Sequence, residues 1–292
     1  IYLIKQVLEG GPVTAKTQLH LDRCLTCRSC ETTCPSGVQY GRLVDIGRRI
    51  VEDRVGRSPG EAARRWSLRK GLQSKVLFGG ALALGRIAKA FVPAELARGI
   101  PASRRAGTWP SPRHGRRMLV LEGCVQPAIA PAIDAALARV LDRVGVSLVR
   151  VPGGGCCGAL PLHLNENDEA QAMARANIDA WWPHVEAGAE AIVVTASGCG
   201  VLVKDYGHLL ARDAAYAAKA ARVAALARDT IEVVAPEWKK IAPLVALDQG
   251  AKRVAFHPPC SLQHGMKIRG EVEEILRAIG HEVVPVADAH LC

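Results

Sequence analysis

The residues of this sequence best suited to chemistry are its ten cysteines. Four of them, Cys24, Cys27, Cys30 and Cys34, fall in the run CLTCRSCETTCPSG, spaced C-x2-C-x2-C-x3-C and followed by Pro35. Thiolates are soft, anionic donors that suit iron. Two-residue gaps let successive thiolates curl around one cube while backbone N–H groups face its sulfides. Structural zinc favours two separated pairs instead, and a redox dithiol would use only two of the four.

Among metal-binding patterns the run matches the bacterial ferredoxin type, in which the first three cysteines ligate one cluster and the fourth ligates another. Cys24, Cys27 and Cys30 are then expected to need a fourth ligand and Cys34 three partners, from a companion run ahead of Ile1. The chain starts without methionine and Cys292 falls in mid-motif, so both ends are expected to be cuts.

A second constellation comprises Cys124, the adjacent pair Cys156 and Cys157 before Gly158, and Cys199 within TASGCG. Neighbouring cysteines rarely bond to each other. In GGGCCG the flexible backbone lets both thiolates face one site. Four thiolates from three loops can hold an iron–sulfur cluster or zinc; the alternative is that some are buried structural thiols. His163, His208 and His257 lie near these segments as candidate ligands or supporting donors. No Ser/His/Asp grouping, phosphate loop or paired-carboxylate pattern stands out, so no catalytic site for an organic substrate is expected.

The surrounding elements follow from periodicity. Residues 1–58 read as helix, cluster loop, helix, and form a ferredoxin-type domain. Residues 59–116 read as one or two basic helices and then a proline-bearing linker. From residue 117 the runs MLVLEG, VSLVRVP and AIVVTASG alternate with alanine-rich helical stretches, the pattern of α/β units on a parallel sheet. A repeat is visible there. Cys124 and Cys156 bracket 31 residues, as do Cys260 and Cys292, and RVLDRVGVSLVRVP parallels EILRAIGHEVVPV. Residues 117–245 are therefore read as one cysteine-rich domain and residues 246–292 as the start of a second, with Cys260 and Cys292 as its ligands.

The net charge of +10 is concentrated between the first cysteine run and residue 117. Such a stretch can meet anionic lipid, nucleic acid or an acidic partner, or be a solvated face; the aromatic share of 4% argues against nucleic acid. KVLFGGALALGRIAKAFV is too short and too charged to span a bilayer. It fits either an interfacial helix or, the preferred reading, a helix packed on the protein's own core. Closely packed cysteines with no secretory leader ahead of them point to a reducing, cytoplasmic setting.

Together the cysteine run, the paired-cysteine domain and the partial second copy resemble the glycolate oxidase iron–sulfur subunit family. The phrases LDRCLTCRSCETTCPSGV, LEGCVQP, NIDAWWPHVEAGAEAI, TASGCG and VKDYGHLL carry that resemblance over nearly the whole chain. The cysteine-rich CCG domain is shared with a subunit of the anaerobic glycerol-3-phosphate dehydrogenase, with lactate-utilisation proteins and with a subunit of heterodisulfide reductase. The resemblance implies an α+β chain: an α-helical ferredoxin-type 4Fe-4S domain followed by duplicated α/β CCG domains. It implies two 4Fe-4S clusters in the complete ferredoxin-type domain, with a further Fe–S cluster or zinc in the CCG domains. FAD is expected only in a partner flavin-containing subunit that oxidises glycolate to glyoxylate. This chain would pass electrons toward a quinone or membrane acceptor, with peripheral contact at the inner face of the cytoplasmic membrane. Carried over by residue, Cys24, Cys27, Cys30 and Cys34 match the second ferredoxin run, Cys124, Cys156, Cys157 and Cys199 the first CCG domain, and Cys260 and Cys292 the second. The heterodisulfide reductase type ends in Cys-x-x-Cys, whereas Cys199 has Ala196 and Leu202 three residues away. The competing expectations are the iron–sulfur subunit of a lactate or glycerol-3-phosphate dehydrogenase, and a non-redox zinc module.

Overall fold

The computed structural model describes residues 1–245 and 252–290, so Cys292 lies outside the described residues. Seven helices come first: α1 (Tyr2–Leu8), α2 (Ala15–Asp22), α3 (Ser29–Thr32), α4 (Tyr40–Val55), α5 (Pro59–Gln73), α6 (Lys75–Ala88) and α7 (Ala94–Gly99). There follow β1 (Arg116–Leu121), α8 (Gln126–Ile129), α9 (Ala132–Arg143), β2 (Val146–Arg150), α10 (Ala159–His163), α11 (Asn167–Glu186) and β3 (Ala191–Val194). Next are α12 (Ser197–Lys204), α13 (Tyr206–Leu209), α14 (Ala217–Leu226), β4 (Ala227–Asp229) and α15 (Thr230–Ile241). Past the short 3-10 turn Ala242–Leu244 come β5 (Arg253–Ala255), the π-helical turn Ser261–Gly265, α16 (Glu271–Ala278) and β6 (Glu282–Val284). The architecture is mixed α/β and divides into two compact units.

The first unit comprises Ile1–Arg65, Pro161–Glu169 and Val245–Cys292. Its helical part is held by a small core of Ile4 and Val7 from α1, Leu21 from α2, and Val44 and Val51 from α4. On α4 the buried positions Val44, Gly47, Arg48 and Val51 recur at helical spacing and make one stripe. Two helices, not one, precede the cysteine loop. The chain breaks at Gly10-Gly11-Pro12, where Gly10 has φ 85°, and restarts at Thr14, whose side chain caps α2 in a reciprocal bond with Thr17.

The second unit comprises Trp66–Leu160 and Ala170–Leu244. Its four strands are all parallel, in the order β2-β1-β3-β4. The runs MLVLEG, VSLVRVP and AIVVTASG supply β1, β2 and β3. The fourth strand, Ala-Arg-Asp at 227–229, is too short to show a period of its own. One core gathers Met118, Val120, Leu137, Leu141, Val146, Leu148, Ala191 and Val193 between sheet and helices.

One expectation about the segment between these cores is corrected. Helix α6 has no buried residue, and Val76, Leu77, Leu84, Ile87 and, just beyond it, Phe91 are exposed. Its apolar run therefore does not pack on the protein's own core. Most of the clustered basic residues are exposed, with a few exceptions. Arg48 and Arg69 are buried, and Arg57 is ion-paired with Asp22 at 2.9 Å and with Glu52 and Glu61. Among the described residues no helix is long and apolar enough to cross a membrane.

Candidate metal centres

The cysteine run of the first unit occupies the loop from α2 through α3 to the start of α4. Thr26 and Arg28 have φ of 54° and 60°, while Cys27 between them is not left-handed. Such alternation turns successive backbone N–H groups into one concavity, the nest geometry that suits anionic and iron–sulfur groups. Burial, followed by the neighbouring Cys24, Glu31 and Cys27, pushes the Cys30 thiol above its ordinary range. Cys24, Cys27 and Cys34 are half-buried and Cys30 is exposed. Cys34 lines a cavity of about 480 Å³ together with Thr32, Gln263, Lys267 and Arg269.

Arg48 fixes the entry to this loop. It is 5% exposed, and its guanidinium donates to the Leu21 carbonyl from Nε at 3.0 Å and Nη2 at 2.9 Å, and to the Cys24 carbonyl. A cation on the last carbonyls of α2 also meets the negative end of the helix dipole. On the exit side, Glu31 accepts from the Gly41 N–H at 2.6 Å. A Cβ at Gly41 would lie 2.9 Å from Arg28 Nε, so a larger residue here would push the Arg28 side chain aside.

In the second unit the cysteines arrive by topology. Cys124 follows β1, Cys156 and Cys157 follow β2, and Cys199 lies in the first turn of α12 after β3. All four therefore lie at the carboxyl edge of one parallel sheet. The order β2-β1-β3 makes the chain reverse direction at β1, and open parallel sheets bind ligands in the crevice at such a point. The thiols form a chain of hydrogen-bonding neighbours, Cys124 with Cys156, Cys156 with Cys157, and Cys157 with Cys199. The Ala159 N–H also donates to Cys157 Sγ at 3.4 Å.

These contacts govern the thiols' acidity. The bond with Cys156 and then burial push Cys124 well above its ordinary range. For Cys156 the bond with Cys124 lowers the value, but the bond with Cys157 and burial outweigh it, giving about 11. Cys157 is raised too, since Cys199 and burial outweigh the lowering by Cys156. A bound cation reverses this balance, because a coordinating thiol is deprotonated outright. Among the described residues no three His, Cys, Asp or Glu side chains converge as a metal-ion cage.

Two buried networks hold these loops. Asn177 on α11 is 1% exposed; its Oδ1 accepts from the Gly155 N–H at 2.8 Å, and its Nδ2 donates to the Cys156 carbonyl at 2.9 Å and to the Tyr206 hydroxyl at 3.0 Å. Tyr206 then donates to the Cys157 carbonyl at 2.7 Å. Backbone on both sides of the cysteine pair is thus satisfied from below. Trp181, one turn beyond Asn177, is fully buried with its indole N–H unpartnered, beside Gly154. The second network joins the loops after β1 and β3. Gln126 Nε2 and Thr195 Oγ1 both donate to Asp134 Oδ1, at 2.8 and 2.6 Å. Gly158, with φ 92°, closes the loop; a Cβ there would come within 3.0 Å of the Ala170 carbonyl.

Cys260 lies in the first unit at the start of the π-helical turn and is half-buried. His163, His208 and His257 are exposed; His163 faces Asp45 at 3.7 Å. The histidine that is buried is His264, which sequence reasoning passed over along with Arg48, Asn177, Tyr206 and Asp134. A signal for two of these existed. Arg48 and Asn177 are polar residues on otherwise apolar helical stripes, Val44-Gly47-Val51 and Ala174-Ile178-Trp181.

Residues 118–204, which carry all four cysteines of the sheet edge, match the model of the CCG cysteine-rich domain family. The chain is also 51% identical over 294 residues to the glycolate oxidase iron-sulfur subunit of Escherichia coli K12, covering 100% of this chain and 71% of that protein. It is 28% identical over 331 residues to the probable glycolate oxidase iron-sulfur subunit of Bacillus subtilis 168, with the same coverage of each. Similarity to lactate utilization protein A of Exiguobacterium is 23% over 173 residues, spanning 58% of this chain and 67% of that protein. The chain belongs to the glycolate oxidase iron–sulfur subunit family.

Proposed function

We propose that this chain is the electron-transfer subunit of a glycolate-oxidising complex, conducting electrons from a flavin subunit that converts glycolate to glyoxylate toward a quinone-type acceptor. The observation that carries this reading is the 51% identity over the whole chain, together with thiols at every position where the proposed clusters need a ligand within the described residues. Bound iron–sulfur clusters supply one-electron redox chemistry. Everything else falls to the protein: to place thiolates, present N–H groups to them, and keep the surroundings dry.

In this reading residues 1–58 are part of a ferredoxin-type domain that holds two 4Fe-4S clusters when complete. Cys24, Cys27 and Cys30 serve one cluster and Cys34 the other. The nest at Thr26 and Arg28 supports the first assignment, and the separate cavity at Cys34 supports the second. Residues 117–245 form the first CCG domain, with Cys124, Cys156, Cys157 and Cys199 as ligands of a further cluster. Backbone N–H groups directed at these sulfurs and the unpartnered indole of Trp181 beside the glycine loop suit an anionic sulfur-rich group. Residues 246–292 begin a second copy that includes Cys260 and Cys292. Its support is local geometry. β5 and β6 pair in parallel with α16 before Gly280 (φ 96°), as β1 and β2 do with α9 before Gly145 (φ 85°). The protein would work in the cytoplasm, at the inner face of the membrane that holds the acceptor.

The test is metal and acid-labile sulfide analysis of the anaerobically purified full-length complex, with low-temperature EPR after dithionite reduction. Iron and sulfide in near-equal amounts with a reduced-cluster signal are expected. Zinc without sulfide or signal overturns the proposal in favour of a non-redox module. If lactate but not glycolate reduces the clusters, the substrate assignment moves to the lactate-utilisation relatives.

A further inference from the structure

Helix α6, in the second unit, turns its apolar side outward. Among its described residues the exposed ones are apolar except Lys75, at the first position. At about 3.6 residues per turn, Val76, Leu77, Leu84 and Ile87 fall within an arc of about 100°. Val76 is 82% and Ile87 71% exposed, and Phe91, just past the helix, is 87% exposed. A surface helix in water shows the opposite arrangement, polar side outward.

The other edge of α6 grips the loop that carries Cys124. Lys75 Nζ lies 3.7 Å from Glu122 Oε2, and Arg86 Nη2 donates to the Ala128 carbonyl at 3.2 Å. Arg86 also donates to the Pro101 carbonyl from Nε at 3.0 Å and to the Ala102 carbonyl from Nη2 at 3.2 Å. The helix is thus fastened on either side of Cys124. Residues 74–112 hold six Lys and Arg against one carboxylate, Glu95. Lys89, Arg98, Arg104 and Arg105 among them are exposed.

We infer that α6 lies in the interface of an anionic lipid bilayer and seats the Cys124 loop against it. An acidic protein surface would answer the cations but leave the apolar face uncovered. Anionic lipid answers both, with headgroups at the cations and acyl chains at the face. With 14 residues the helix is about 21 Å long, short of the roughly 30 Å hydrocarbon core, so it lies along the membrane and does not cross it. This docking rests on the reading above of a membrane-held acceptor and names the face of the chain that meets the lipid.

The full-length complex is floated with vesicles of equimolar phosphatidylglycerol and phosphatidylcholine, and with vesicles of phosphatidylcholine alone. Binding to the anionic vesicles is expected, weakening as salt is raised, with much less on phosphatidylcholine. Ile87→Glu is expected to weaken it at least about 10-fold, since one buried apolar side chain is lost from the interface. Lys89→Gln is expected to weaken it about 5-fold, the worth of one charge near such a surface. Ile87→Trp is expected to tighten it, because indole rings favour the interface. Misfolding cannot mimic that gain, so Ile87→Trp decides if Ile87→Glu fails to assemble. Parent complex that binds neither vesicle places a partner subunit on the face and overturns the inference. Binding unchanged in both Ile87 variants, or equal on the two vesicle types, overturns it too. Flotation needs neither glycolate nor clusters. Missing clusters therefore overturn the electron-transfer reading, whereas missing flotation with clusters present overturns only the docking.

Discussion

The cysteine run of the first unit and the cysteine set of the second gather four thiols each by opposite means. In the run, four thiols lie within eleven residues, and a loop of alternating backbone hand, closed by Arg48 and Glu31, shapes them. At the sheet edge the thiols come from three loops between positions 124 and 199, and strand order gathers them. The first arrangement depends on a small core of five buried side chains and one buried cation. The second is fastened to a much larger core by Asn177 and Asp134, whose bonds run to the backbone and polar side chains of the cysteine loops. A local site is thus vulnerable at its ligands and at one brace, a dispersed site wherever its loops are anchored.

The largest effect should separate ligand from scaffold. Cys27→Ser in the complete complex is expected to abolish glycolate-dependent quinone reduction while flavin reduction by glycolate persists. Stopped-flow spectroscopy reads both, and undiminished quinone reduction would remove the run from the electron path.

Next in size is the anchor beneath the paired cysteines. Asn177→Ala strands the Gly155 N–H and the Cys156 carbonyl in part-buried surroundings and takes a donor from the buried Tyr206 hydroxyl. Buried groups left unpaired cost about 1–3 kcal/mol each, so a loss of about 3 kcal/mol is expected. Denaturation of the anaerobic protein measures it, and iron at the sheet-edge centre should fall while the ferredoxin-type EPR signal stays. Loss of both signals together would contradict the independence of the two regions.

Arg48→Met tests the corresponding brace in the first unit. It keeps the packing of the stem but leaves the Leu21 and Cys24 carbonyls without their donor. A cost of about 2 kcal/mol is expected, with the ferredoxin-type signal now the one that weakens.

A smaller, pH-dependent effect belongs to Asp134, whose carboxyl burial holds above the ordinary range despite the bonds from Thr195 and Gln126. The folded state binds that proton more tightly than the unfolded chain. Its contribution to stability therefore falls as pH rises from about 3.8 to the raised folded value, and is level above it. Asp134→Asn keeps an acceptor oxygen and removes the slope. Melting profiles should show the variant gaining on the parent across that window and running parallel beyond it.

The smallest effect lies outside both regions. Ile87→Glu on the exposed face of α6 should shift stability by no more than about 0.5 kcal/mol, which a matched melting curve can check. A larger loss would place that face in a core.

Legibility tracks the same division. The candidate ligands Cys24 to Cys34 could be proposed in one pass because residue type and spacing lie within one short segment. Three of the four strands of the sheet were equally plain, since buried parallel strands are continuous apolar runs. Asn177, Tyr206 and His264 were not legible. Each acts through a partner 22 to 232 positions away in the chain, and a lone polar residue says nothing of what it will meet. Helix α6 failed in the other direction. Its apolar stripe has the period of a core helix, and period alone does not distinguish a face turned to the core from one turned outward.

By itself the sequence determined which atoms can bind metal, the period of each main element, and the family to which the chain belongs, because these depend on residue type and short-range spacing. Tertiary structure decided which cysteines become neighbours, which cations are buried, and which histidine is buried. Those outcomes depend on strand order and on the close approach of distant segments, and only a packed chain defines either.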